Sequence, residues 1–245
     1  MQPADVTIVG FGPGQWSKLT LEVHDLLLQA DRIYTRDPLS WEVLRELKAR
    51  GKNVISLSSL YLLGLPVGEI YDLMADVVAK SALRYGPLVY ALPGNPLVFE
   101  FPTLLVRRRA LALGLSCTIV EGMSCLEAMF VANNIDPGFG LQILNLVDFE
   151  AKPRLIASVA TLMFQVGAPR HVFADQSEPD RCNLSWLRDR LIELDYPPEH
   201  KVYLLKPGEA GQQISVVGKV SRMERLRPHL NSMCTLYIPP NWIVT

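Results

Sequence analysis

Two stretches of this chain combine glycine and proline in a way suited to holding a ligand. The first is Pro93-Gly94-Asn95-Pro96, set between the apolar runs Val89–Leu92 and Leu97–Phe99. A run rich in Val, Tyr and Leu that ends in Gly and Pro reads as a buried strand closing in a tight loop. Gly94 lets a ligand approach the backbone, while Pro93 and Pro96 fix φ and remove two amide donors. A loop of this kind is poor at cradling phosphate and better at presenting carbonyl oxygens; it serves equally as an ordinary strand-to-helix turn. The second stretch, Gly10-Phe11-Gly12-Pro13-Gly14, follows Val6-Thr7-Ile8-Val9. It approaches the dinucleotide fingerprint G-x-G-x-x-G, yet Gln15 stands where the third glycine belongs and Pro13 deletes an amide that a pyrophosphate needs. Hydride transfer with a nicotinamide cofactor is therefore disfavoured.

Other reactive constellations are missing from the sequence. The four histidines, His24, His171, His200 and His229, have no ligand spacing with Cys, Asp or Glu, so no metal site is expected. There is no G-x-x-x-x-G-K-[ST], no G-x-S-x-G and no H-E-x-x-H. What remains is chemistry that mostly needs positioning, such as transfer of an already activated group.

The elements that would position these residues follow from periodicity. Strand, glycine loop and helix open the chain, and further strands are expected at Arg32–Thr35, Val54–Leu57, Val89–Leu92 and Ser116–Val120. Helices are expected at Trp41–Ala49, Ile70–Leu83 and Phe101–Leu113, and the apolar segment Tyr61–Gly68 reads as a loop that something must cover. Arg107-Arg108-Arg109 reads as a solvated or ion-pairing face. Ser124 is placed to cap a helix over Leu126–Ala132, or to touch a ligand. After the turn-rich Asn133–Gly138, strands recur at Leu141–Leu146, Thr161–Val166, Lys201–Leu205, Ile214–Val217 and Thr235–Ile238, with a helix at Leu184–Leu194. The expected fold is α/β in two domains, 1–120 and 121–245, the second with antiparallel pairs.

Composition bounds the partners. The 245 residues are 49% hydrophobic and 20% charged, and 24 Lys and Arg balance 25 Asp and Glu. No net field attracts nucleic acid or an anionic membrane. Cys117, Cys125, Cys182 and Cys234 are scattered, without a C-x-x-C pair, which points to a reduced, cytoplasmic setting. No leader-like start and no apolar run of membrane-spanning length is expected.

Four motifs in order resemble the tetrapyrrole (corrin/porphyrin) methylase family: Val6–Thr20, Ala91–Phe99, Val120–Cys125 and Thr235–Pro240. The segments Asp136–Leu144 and Phe164–Gly167 are most similar to two branches. One is the methylase-like domain fused to a MazG-type nucleotide pyrophosphohydrolase; the other is the borosin group, which methylates peptide backbone amides. The resemblance implies a class III methyltransferase, usually a homodimer, that binds S-adenosylmethionine in a cleft between two α/β domains. Its acceptor would be a tetrapyrrole-like small molecule or a peptide amide, and the alternative is a non-catalytic domain that binds the cofactor or a partner.

Carried over residue by residue, the resemblance assigns the cofactor to Leu92, Pro93, Gly94, Asn95, Val98, Phe99, Ser124, Cys125, Gln165 and Thr235. The acceptor side falls to Gly10, Gly12 and Pro13. Tyr61 and Tyr71 match borosin tyrosines that serve the acceptor, whereas Val67 or Gly68 falls where those enzymes carry an arginine. Gln15 and Asn95 also depart from the family pattern, since Asn95 replaces an Asp or His and gives up charge.

Overall fold

The computed structural model describes residues 4–146, 155–167, 184–207, 213–231 and 233–242. Cys182 and His171 lie outside them. The chain is α/β and divides into two compact units, Met1–Glu127 and Ala128–Thr245.

The first unit is built on an all-parallel sheet. Its strands β1 (Val6–Gly10), β2 (Ile33–Thr35), β3 (Val54–Ser56), β4 (Leu88–Leu92) and β5 (Cys117–Val120) are ordered β3-β2-β4-β1-β5. A sheet covered on both faces demands strands that are apolar throughout. Every residue of β1 and β4 is accordingly buried. Side chains alternate between the faces. Val89 and Ala91 of β4 pack with α1 (Leu21–Gln29) and α2 (Glu42–Ala49) through Val23, Leu27, Val43, Leu44 and Leu47. Leu88, Tyr90 and Leu92 pack the other way, against α3 (Val67–Tyr85) and α4 (Phe101–Ala112), with Ile70, Met74, Val78, Val106 and Ala110.

Local signals set the helix ends. Thr20 Oγ1 accepts the Val23 amide at the start of α1, satisfying a donor that the helix leaves unpaired. Pro66 stands just ahead of α3, and its carbonyl accepts the amides of Glu69 and Ile70. Of the segment Tyr61–Gly68, expected as a loop, only residues 64–66 are irregular; the 3-10 turn Ser58–Leu63 precedes them and α3 begins at Val67. Pro66 and Gly68 start the helix there instead of breaking it, because a helix's first turn needs few of its own amides.

The second unit carries a mixed sheet of β6 (Leu141–Asn145), β7 (Ala160–Phe164), β8 (Lys201–Pro207), β9 (Gln213–Lys219) and β10 (Thr235–Ile238), ordered β6-β7-β10-β8-β9. β6 runs parallel to β7, and the other pairs are antiparallel, as expected from the turn-linked strands. Its core joins Met163, Val202, Leu204 and Leu236 to Leu187 and Leu191 of the helix Leu184–Glu193, and to Met223 and Leu226 of the 3-10 segment Val220–His229. The helix α5 (Cys125–Asn133) spans the division between the units. No helix among the described residues is long and apolar enough to cross a membrane.

Candidate functional site

The loops leaving the carboxyl ends of β1, β2 and β4 diverge. β1 and β2 hand on to α1 and α2 on one face of the sheet, whereas β4, which lies between them, hands on to α4 on the other. Divergence of this kind opens a crevice at the strand ends, the usual ligand position in open α/β sheets.

At that edge the β1 and β4 loops are tied together. The Gly94 amide donates to the Gly12 carbonyl (2.7 Å), the Gly12 amide to the Gly94 carbonyl (3.3 Å) and the Phe11 amide to the Leu92 carbonyl (2.8 Å). Two of the carbonyls expected to face a ligand thus already accept one bond each, keeping a second lone pair. Gly10 and Gly122 are squeezed against this bridge. A Cβ on Gly10 would fall 2.2 Å from the Gly94 oxygen and 2.8 Å from the Gly122 nitrogen. Gly94 differs: it sits at φ +70°, and a Cβ there would meet nothing within 4 Å. The loop therefore has room beside Gly94 for a ligand. Pro13 is half-buried at the neighbouring turn.

Asn95 folds its own loop. Its Oδ1 accepts the Leu97 amide (2.9 Å) and its carbonyl accepts the Val98 amide (3.0 Å). A short side chain bonding the backbone two residues on is an Asx turn, so loss of the charge carried by Asp costs this turn little. Phe99 follows in the left-handed region, at φ +57°, where a side chain is strained.

Ser124 is a helix cap. Its Oγ accepts the Leu126 amide (3.1 Å) and donates to Glu127 Oε2 (2.6 Å), the pairing of a Ser-x-x-Glu start. The neighbouring Cys125 thiol is pushed up to about 11, chiefly by burial, so it stays protonated.

Tyr61 and Tyr71 are brought together, and around an arginine. Both pack against the α3–α4 side of the core, and Tyr61 lies within electrostatic reach of Tyr71 and of Arg36. That arginine is Arg36, at the end of β2. Its Nη2 donates to Glu100 Oε1 (2.8 Å) and its Nε lies 3.5 Å from Asp37 Oδ2. The three side chains are only 21%, 7% and 16% exposed for Arg36, Glu100 and Asp37. Tyr90, fully buried on β4, completes the group.

Burial governs the protonation of this cluster. It raises Glu100 to about 7, with Arg36 pulling down and Asp37 pushing up. Burial also raises Asp37 against the pull of Arg36. The Tyr61 and Tyr90 phenols are driven above their ordinary value for the same reason, so both remain neutral. Arg36 is a fixed cation: burial disfavours its charge, but Glu100 and Asp37 outweigh it. Among the described residues, Glu100 Oε2, Asp37 Oδ2, Arg36 Nε, Tyr90 Oη and Thr103 Oγ1 are buried without a hydrogen-bond partner. Several unmet polar atoms in one buried place are a sign of a site made for a polar group from outside.

Sequence reasoning missed Arg36 and Glu100. The signals were an Arg-Asp-Pro directly after a strand, and a lone carboxylate between Phe99 and Phe101 in an otherwise apolar stretch.

In the second unit, Gln165 and Thr235 are also brought together. Thr235 pairs with Phe164 across the β7–β10 ladder, next to Gln165 at φ +59°. Thr235 is fully buried, and its Oγ1 has no hydrogen-bond partner among the described residues.

Residues 5–223 match the profile of the tetrapyrrole (corrin/porphyrin) methylases. The chain belongs to this family. Among its relatives, the uncharacterised protein YabN of Bacillus subtilis is 28% identical over 236 residues, which are 96% of this chain and 45% of that protein. The methyltransferase and type III borosin cyclic peptide precursor aboMAa of Anomoporia bombycina is 26% identical over 248 residues, 98% of this chain and 28% of that protein. The family member thus spans less than half the length of either relative. In fold it is similar to the uroporphyrin-III C-methyltransferase of Thermus thermophilus solved with S-adenosylhomocysteine. That likeness has a TM-score of 0.67 at 18% identity, over 96% of this chain and 92% of that one.

Proposed function

We propose that the chain is an S-adenosylmethionine-dependent methyltransferase whose acceptor site is the Arg36–Tyr61–Tyr71–Glu100 cluster. The observation that carries this reading is the crevice edge itself, where the Gly94 loop leaves open space while buried polar side chains gather beyond β2. Membership of a methylase family and the methyltransferase among its relatives support it. Leu92–Asn95, Val98 and Phe99, with Ser124 and Cys125, hold the cofactor in this reading. Gly10, Gly12 and Pro13 border the acceptor. When bound, the cofactor supplies a methyl group already activated on a sulfonium, so alignment does most of the work.

A peptide amide suits the cluster better than a tetrapyrrole. With both carboxylates ionised, Arg36, Asp37 and Glu100 sum to one negative charge, which repels the carboxylates of a tetrapyrrole and accepts a neutral amide. The Tyr61 and Tyr71 hydroxyls can donate to the amide oxygen.

Calorimetry with S-adenosylmethionine and S-adenosylhomocysteine, on the parent and on Gly94→Arg, tests the reading. Both ligands are expected to bind the parent, and the arginine to abolish binding by filling the open side. If neither ligand binds the parent, the reading is lost. Binding without transfer of labelled methyl to peptides or porphyrinogens would instead mark a non-catalytic binding domain.

A homodimer is part of the same proposal. Leu62 (87% exposed), Leu65, Leu73, Leu97, Phe101 and Leu104 leave an apolar surface on the α3–α4 side of the first unit, and surfaces of this kind mark association sites. Sedimentation should show a dimer that Leu104→Glu shifts toward monomer.

A further inference from the structure

We infer that Glu100 is the proton acceptor of the reaction, taking the N–H proton of a neutral amide on Oε2 while Arg36 and Tyr61 hold the amide oxygen. This rests on the methyl-transfer reading and deepens it. Three observations carry it.

The geometry comes first. Glu100 spends Oε1 on Arg36 and leaves Oε2 buried and unpartnered among the described residues. A carboxylate oxygen kept dry, oriented by a fixed cation and without a protein donor is ready for a donor from outside.

Elimination among the neighbours comes second. The titratable and charged groups around Glu100 are Arg36 and Asp37 after β2, Tyr61 from the 3-10 turn, Tyr71 from α3, Tyr90 from β4 and Cys125 from α5. Tyr61, Tyr90 and Cys125 are pushed toward their protonated forms, and Arg36 keeps its charge. None of these four is a base. Asp37 shares the burial, but its Oδ2 lies on the Arg36 Nε side, 3.5 Å away, where it balances the guanidinium.

Poise comes third. Glu100, raised to about 7, exchanges its proton in the neutral range, where a general base is most effective.

The amide nitrogen gives its N–H proton to Glu100 Oε2, and its electron pair forms the N–C bond as the methyl C–S bond breaks. The sulfur takes that pair and leaves as a neutral thioether. Glu100 then releases the proton to solvent, and no oxidant or reductant is needed. Arg36 and Tyr61 steady the negative charge that grows on the amide oxygen.

The test has an arm independent of any acceptor. Carbon-13 NMR of protein labelled at glutamate Cδ is expected to show one carboxyl titrating near pH 7 that disappears in Glu100→Gln. If every glutamate titrates in the ordinary range, the inference is overturned. In the second arm, transfer of labelled methyl to a pool of capped, uncharged random peptides is measured against pH. The parent rate is expected to rise through pH 7. Glu100→Gln should lower kcat at least about a hundredfold and erase that inflection, with calorimetric affinity for S-adenosylmethionine within about twofold of the parent; Glu100→Asp should recover part of the rate. An unchanged kcat in Glu100→Gln, or no transfer to the pool by a parent that binds the cofactor, would overturn the proton-acceptor role. Failure of cofactor binding would strike the underlying reading instead.

Discussion

Arg36 at the end of β2 and Glu100 ahead of α4 are joined across the carboxyl edge of the sheet by a 2.8 Å bond from Nη2 to Oε1. The pair is buried, so its partners depend on each other: removing one member of a buried pair leaves an uncompensated charge, at a cost of about 3–5 kcal/mol. Arg36→Met is therefore expected to destabilise the protein by that order at pH 8. At pH 5 the loss should be smaller, because Glu100 and Asp37 can then take up protons. Urea unfolding at the two pH values checks both.

Glu100 also gives the parent a distinctive pH dependence. Its folded-state value of about 7 lies above the ordinary glutamate value of 4.5. Between those limits the folded state binds more protons than the unfolded one. This contribution is therefore full below about 4.5 and is lost as pH rises to 7, on the order of 3 kcal/mol in all. Glu100→Gln should flatten the stability curve over this window. A parent curve with no such decline relative to the variant would contradict the assignment.

The glycines at the edge should separate by mutation. Gly10→Ala drives a Cβ into the Gly94 oxygen at 2.2 Å, and backbone cannot move aside cheaply, so a loss of about 3 kcal/mol or failure to fold is expected. Gly94→Ala meets open space and suffers only its left-handed backbone, about 1–2 kcal/mol. Thermal unfolding should rank the two in that order.

Tyr61→Phe and Tyr71→Phe remove hydroxyls without changing shape. If these phenols steady the acceptor oxygen, each should reduce kcat about a hundredfold and leave cofactor affinity unaltered. An effect on affinity with kcat preserved would place them on the cofactor side.

Much of the fold was readable because its strands are apolar runs bounded by Gly and Pro. β1 and β4 are buried at every position, which turns a sequence pattern directly into a parallel sheet. The cap at Ser124 was readable for a similar reason, since Ser-x-x-Glu is a local motif. The Arg36–Glu100 pair was not. Arg36 and Glu100 stand 64 positions apart and meet only because β4 enters the sheet beside β2, a topological fact with no local signature. Pro66 and Gly68 misled for the opposite reason: they looked like breaks, but at a helix start neither residue interrupts a bond.

Insertion of β4 between β1 and β2 has a consequence for how the chain acquires its shape. Val6 finds its partner on that side only when Leu88 has been made, and Ile33 waits for Val89. Until then the ribosome has released two separated strand edges, with nothing to join them. Folding of the first unit should thus be late and all-at-once, with β4 as keystone, and fragments ending before Leu88 should remain sticky and unstructured.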